Sequence, residues 1–154
     1  MWVHDEIYSD SNMGVLSSLF GSSGDVSDGT DSRGEQKYAI LLNAGPDRTP
    51  VAGNGFNYAV EFDDAGYDVQ LFLDGEATKW PAAFTENPDR PFNHDWDQIQ
   101  QRGLLAGVCG YCANAFDVAE ACENSGIELL SDKTEHAPAV ATLAEEGYQM
   151  LTVG

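Results

Sequence analysis

A chain of 154 residues with 42% apolar side chains can bury one core of ordinary size and leaves no room for two large domains. Its 26 Asp and Glu stand against 7 Lys and Arg, and a formal charge of −19 excludes the basic stripe that a nucleic-acid partner requires. Such a surface suits a salt-rich cytoplasm, because about 1 M salt shortens the Debye length to roughly 3 Å and removes most of the self-repulsion.

Residues 1–36 are rich in Ser, Gly and Asp, show no sustained hydrophobic period, and read as a disordered acidic tail. Within them Val15, Leu16, Leu19 and Phe20 form an apolar island, read as extended chain with a short docking helix as the alternative. Met13 is a second candidate start, which would place residues 1–12 outside the natural chain. No apolar stretch is long enough to span a bilayer and the first residues lack the basic flank of a secretory signal, so the expectation is a cytoplasmic protein without a membrane partner.

From Lys37 the pattern alternates between strand and helix. The run 38–42 reads as a strand, a Gly/Pro-rich loop follows, and a helix is expected over 54–65 with Gly66 as its stop. Next come a strand at 67–73, a helical piece at 76–84 and a helix at 95–102 closed by Gly103. A strand at 104–108 leads into a helix over 112–124, ended by Gly126. Residues 127–130 read as a short strand, Pro138 opens a helix with the stripe Val140, Leu143 and Ala144, and 148–153 is the final strand. Strands separated by helices pair in parallel, and continuous apolar runs such as Ile40 to Leu42 are strands buried on both faces. The expected domain, residues 37–154, is thus a three-layer, doubly wound α/β fold with a mainly parallel five-stranded sheet.

Cys109-Gly110-Tyr111-Cys112 falls where the strand at 104–108 hands over to a helix, beyond a strand's carboxyl end, where such sheets bind ligands. Unpaired amides and partial positive charge at a helix start favour thiolate over thiol, and donors such as the Ala113 amide would stabilise it. With Cys109 before the helix and Cys112 in its first turn, the sulfurs come within reach of a disulfide or a sulfur hand-off. The competing reading is that both are small buried hydrophobes, against which Gly110 and Tyr111 suggest exposed loop backbone.

Cys122, ten residues past Cys112 on one helix, would lie about 15 Å along the axis, and it shares a stripe with Ala115 and Ala119, so it reads as core. A zinc site would need two more ligands, and the histidines are His4, His94 and His136 with no second C-x-x-C, so zinc ranks below thiol chemistry and no metal is expected. The long segment 75–94 carries Trp80, Phe84, Phe92 and His94, and Trp80, Phe84, His94 and Tyr111 are candidates for a pocket or lid over the thiols; a subunit interface and a patch of core are the alternatives for the aromatics. The loop 43–55 has neither phosphate-binding fingerprint, so no cofactor is expected, and the Asp63-Asp64 pair reads as a solvated helix end.

Taken together, the opening strand Tyr38 to Asn43, Asn57-Tyr58-Ala59-Val60-Glu61, Gly66-Tyr67-Asp68-Val69, Leu71-Phe72-Leu73-Asp74-Gly75 and Gly107-Val108-Cys109 before a helix carrying Ala115 and Val118 resemble the DsrE-like superfamily, which includes DsrF and YchN-like proteins, here of a haloarchaeal type. The resemblance implies a parallel α/β sheet, assembly into homo-trimers or hexamers, and a persulfide-bearing cysteine at the position of Cys109. The leading expectation is a sulfur-handling protein, a sulfurtransferase or sulfur carrier, that takes sulfane sulfur from donor proteins or small persulfides onto Cys109, passes it to an acceptor, and uses Cys112 as resolving thiol. Two alternatives stand beside it: a thiol–disulfide switch built on the same pair, and a non-catalytic oligomeric binding module whose cysteines only pack.

Overall fold

The computed structural model describes residues 35–154. The tail and its apolar island therefore lie outside the described residues, except for its last two positions, where the Gln36 carbonyl already accepts a hydrogen bond from the Asp68 amide.

Four strands, β1 (Lys37–Leu42), β2 (Asp68–Leu73), β3 (Leu105–Val108) and β4 (Tyr148–Val153), form one sheet in the order β3-β2-β1-β4, every pair parallel. The two long pairings are unbroken, with Lys37 to Leu42 set against Asp68 to Leu73 on one side and Tyr148 to Val153 on the other. The chain steps outward from β1 through β2 to β3 and then returns to the far side of β1, the reversal of direction that defines a doubly wound sheet.

The expected fifth strand is reduced to one bridge, between Val108 and Leu129. Ile127 to Leu130 is apolar enough for a strand, but only the Val108 amide to the Glu128 carbonyl and the Leu130 amide to the Val108 carbonyl connect it to β3. Gly107 permits that approach: its φ is +149°, and a Cβ there would stand 2.6 Å from the Glu128 carbonyl oxygen. The same residue marks a register shift between β2 and β3, so that Leu71 pairs with Leu105 while Phe72 pairs with Gly107.

Six helices connect the strands: α1 (Thr49–Asp64), α2 (Trp80–Glu86), α3 (Asn93–Gln101), α4 (Gly110–Ala115), α5 (Ala119–Asn124) and α6 (Val140–Glu145). Helix α1 begins well before residue 54 because Pro50 sits in its first turn, where the missing N–H costs nothing. The single helix expected over 112–124 is two, broken at Phe116 to Val118, where Asp117 adopts a left-handed φ of +58°. Likewise Pro138 does not open the last helix, which starts at Val140.

One face of the sheet carries the main core. Ile40, Leu42, Val69, Leu71 and Leu73 point into it and meet Ala52, Phe56 and Ala59 of α1, Ile99 of α3 and Cys122 of α5. Among the described residues the opposite face buries only Ala39, Phe72 and Leu143 of α6, with Leu41, Ala106, Leu130 and Tyr148 half-buried around them. Among these residues the layers are thus unequal, and the thin one rests on a single six-residue helix.

The aromatic segment belongs to the thick layer. Trp80 is fully buried, its indole N–H donates to the Ala44 carbonyl at 2.8 Å, and its ring stacks on Phe84, which in turn stacks on Trp96 at 4.9 Å. Phe56 meets Trp80 edge to face at 5.2 Å, completing a four-ring cluster between α1, α2 and α3. A buried Trp with its N–H satisfied contributes packing on the order of 3–5 kcal/mol, so this stretch is core rather than cover. At the surface Arg102, just past α3, bonds both Asp63 and Asp64 at the end of α1, so the acidic pair ties two helices together.

Candidate functional site

The register of β2 and β3 builds the site. Leu73 pairs with Val108, the last residues of their strands, so Asp74 and Cys109 leave the sheet side by side at its carboxyl edge. The Cys109 amide still donates to the Leu73 carbonyl at 2.9 Å, which holds the two exits together. Asp74 then caps the next turn, its carboxylate accepting from the Gly75 amide at 2.8 Å, and Cys109 caps α4.

One turn into α4, Cys112 comes back over the strand end. Its thiol donates to Asp74 Oδ1 at 3.2 Å, and its amide donates to Cys109 Sγ at 3.5 Å. The residues between the cysteines have separate tasks. Gly110 lets the 131–137 segment lie directly on the backbone, since a Cβ there would fall 1.7 Å from the Ser131 carbonyl oxygen; its amide donates to Ser131 Oγ at 3.0 Å. Tyr111 points outward, half-exposed, with its ring 4.3 Å from that of His136.

That contact brings in the fourth group. His136 Nδ1 lies 3.6 Å from Cys109 Sγ and 3.7 Å from Cys112 Sγ, and the Ala137 amide donates to Cys109 Sγ at 3.4 Å. One ligand atom each from Asp74, Cys109, Cys112 and His136 lies within 4.8 Å of all the others. Cys109 is fully buried and Cys112 nearly so, while His136 is exposed.

The two sulfurs differ in their surroundings. Cys109 Sγ accepts two backbone amides. These are the amides of Cys112 and Ala137, whereas the Ala113 amide, the donor expected from the sequence, is spent on the Cys109 carbonyl. Burial first, and then its hydrogen bond to Asp74, push the Cys112 thiol up to about 12, so Cys112 stays protonated at neutral pH. Burial also raises Cys122 to about 11; its thiol faces the Thr78 carbonyl in the main core.

Of the residues anticipated from the sequence, Cys109, Cys112 and Tyr111 come together. Trp80 and Phe84 do not cover the thiols. They pack in the core, and Phe84 with Trp96, Ala121 and Ile127 lines a separate groove of about 530 Å³ that contains no residue of the thiol site. His94 is exposed on α3, and the histidine at the thiols is His136. Asp74 is absent from the sequence-based site and His136 enters it only as one of three histidines available to a metal; the signal for the first was an acidic residue directly after a strand paired with the thiol-bearing one. His136 carries no spacing signal, because it reaches the site through a loop from 27 residues away.

A family model described as the DsrE/DsrF-like family matches residues 36–153. The chain belongs to the DsrE/DsrF-like family. Among solved structures, this family member is similar to a conserved protein of unknown function from Bacteroides thetaiotaomicron, with a TM-score of 0.57 and 20% sequence identity over 79% of this chain and 97% of that one, a likeness in fold. No curated protein matches the sequence. As a DsrE/DsrF-like protein it comes from a family associated with sulfur relay. Among the described residues no helix is long and apolar enough to cross a membrane.

Proposed function

We propose that this DsrE/DsrF-like chain is a sulfur-handling protein whose Cys109 accepts sulfane sulfur. The observation that carries the reading is the set of contacts to Cys109 Sγ: two amide N–H donors and an imidazole nitrogen around one buried sulfur. His136 takes the thiol proton, the amides hold the resulting thiolate, and that thiolate attacks the outer sulfur of a donor persulfide, R–S–SH. The donor's S–S bond breaks, R–S⁻ leaves, and Cys109 carries the new persulfide.

Two fates follow. An acceptor thiolate removes the outer sulfur and regenerates Cys109, which is relay. Alternatively Cys112 loses its proton and attacks the inner sulfur, releasing hydrosulfide and leaving a Cys109–Cys112 disulfide that an external dithiol must reduce. The protonated state of Cys112 favours the first fate, since a thiol held near pKa 12 is a slow nucleophile at neutral pH. Partners on this reading are donor and acceptor proteins or small persulfides, in a salt-rich cytoplasm, with the chain acting as a homo-oligomer.

Incubating the reduced protein with a small persulfide donor and mapping the adduct by mass tests the reading. Sulfur on Cys109 supports it, and sulfur-free Cys109 ends it.

A further inference from the structure

The four groups at the strand ends have a second capability, which uses their donor atoms rather than the nucleophilicity of one of them. Two sulfurs, one imidazole nitrogen and one carboxylate make a donor set typical of a borderline-soft divalent metal, and unlike one for magnesium or calcium, which take oxygen.

The spacing is close to that of a bound ion. Bonds of about 2.3 Å to sulfur and about 2.0–2.2 Å to nitrogen and oxygen place neighbouring ligands of a tetrahedral ion about 3.3–3.8 Å apart. Three of the six separations are 3.2 Å from Cys112 Sγ to Asp74 Oδ1, 3.6 Å from Cys109 Sγ to His136 Nδ1, and 3.7 Å from Cys112 Sγ to the same nitrogen, and all six are within 4.8 Å, so small side-chain movements complete the tetrahedron. Three of these groups are fixed by regular structure: Asp74 and Cys109 by neighbouring strands, Cys112 by the first turn of α4. The outer supports of such a site are also present. Backbone amides of Cys112 and Ala137 donate to Cys109 Sγ, the Gly75 amide donates to Asp74, and Tyr111 packs on the His136 ring.

We propose that Asp74, Cys109, Cys112 and His136 form a four-ligand site for a divalent thiophilic transition metal, zinc above all. Cys109 and Cys112 bind as thiolates, releasing their protons to solvent, His136 binds through Nδ1 with its proton on Nε2, and Asp74 supplies one oxygen. Two thiolates and a carboxylate against a dication leave one net negative charge. All four positions are then filled by protein, the arrangement of a closed site. The consequence, which rests on the sulfur-handling reading, is regulatory: a metal on Cys109 occupies the lone pair that would attack a persulfide, so the loaded protein is protected from sulfur and the metal-free protein accepts it.

The test uses the full chain, reduced and metal-free under anaerobic conditions, titrated with cobalt(II) and then with zinc(II). The expected result is one equivalent of cobalt giving intense visible bands of a tetrahedral ion and a near-ultraviolet thiolate-to-cobalt band, both erased by one equivalent of zinc. His136→Ala, at an exposed position, should weaken binding by at least about tenfold while the far-ultraviolet spectrum stays that of the wild type. The Cys109→Ser, Cys112→Ser double variant should lose the thiolate band. A spectrum without that band in the wild-type protein, or the same affinity in His136→Ala, overturns the proposal. Sulfur acceptance is scored separately on the metal-free protein. Sulfur on Cys109 without a thiolate–cobalt band ends the metal site and leaves the sulfur reading, whereas the band without sulfur acceptance does the reverse.

Discussion

Asp74 and Cys109 stand side by side because they are the first residues beyond a matched pair, Leu73 and Val108, on adjacent parallel strands. This relationship makes a chemical site from two distant pieces of sequence. The carboxylate arrives on one strand and the nucleophile on the next, and a single helical turn then brings Cys112 onto the carboxylate. The site is a product of register, so changes that shift register should act on chemistry.

The Asp74–Cys112 hydrogen bond sets the reactivity of the second thiol. Replacing Asp74 with Asn removes a negative charge and a carboxylate acceptor, so the Cys112 pKa should fall from about 12 toward the ordinary value of 9.0. Alkylation of Cys112 by iodoacetamide at pH 9 should then accelerate, read by peptide mapping. An unchanged rate would show that burial alone holds the proton.

The same raised pKa gives stability a defined pH dependence. Folded Cys112 holds its proton more tightly than the unfolded chain does, so its contribution is complete below pH 9 and is lost as pH rises toward 12. The melting temperature of wild-type protein should decline through that window more steeply than that of Cys112→Ser. Parallel curves from pH 8 to 11.5 would contradict this.

Gly110 is expected to be irreplaceable at the site. A Cβ on residue 110 meets the Ser131 carbonyl oxygen at 1.7 Å and must push the 131–137 segment away, taking His136 and the Ala137 amide with it. Gly110→Ala should cost about 1–3 kcal/mol in urea unfolding and should raise the alkylation rate of Cys109 severalfold. Full stability with wild-type alkylation would show that the segment yields freely.

The architecture was legible where one signal dominated. Apolar runs such as Ile40 to Leu42 and Leu71 to Leu73 could only be buried strands, and Gly66, Gly103, Gly126 and Gly147 mark turns by their positive φ. Cys109 at a strand end and Cys112 one turn later were likewise local features. What was not legible depended on distant contacts. Ile127 to Leu130 has a strand's composition, but its pairing with β3 stops after one bridge. Trp80 and Phe84 looked like cover for the thiols because their partners, Phe56 and Trp96, lie on other helices. His136 carried no signal, since its role is decided by where the loop after Leu130 folds back onto Gly110.

The charge of −19 should make stability salt-dependent. Screening of like charges is nearly complete at about 1 M salt, so thermal unfolding should move up between about 0.1 M and 1 M KCl and level off above that. A flat response would show that the acidic surface adds little repulsion to the folded state.

The central claim is that Cys109 is the atom that receives sulfur, and intact mass with peptide mapping tests it most directly. Wild-type and Cys112→Ser proteins, reduced, metal-free and incubated with a small persulfide donor, should each gain about 32 Da on the peptide containing Cys109, and Cys109→Ser should gain nothing. The same gain in Cys109→Ser, or none in the wild-type protein, would contradict the account.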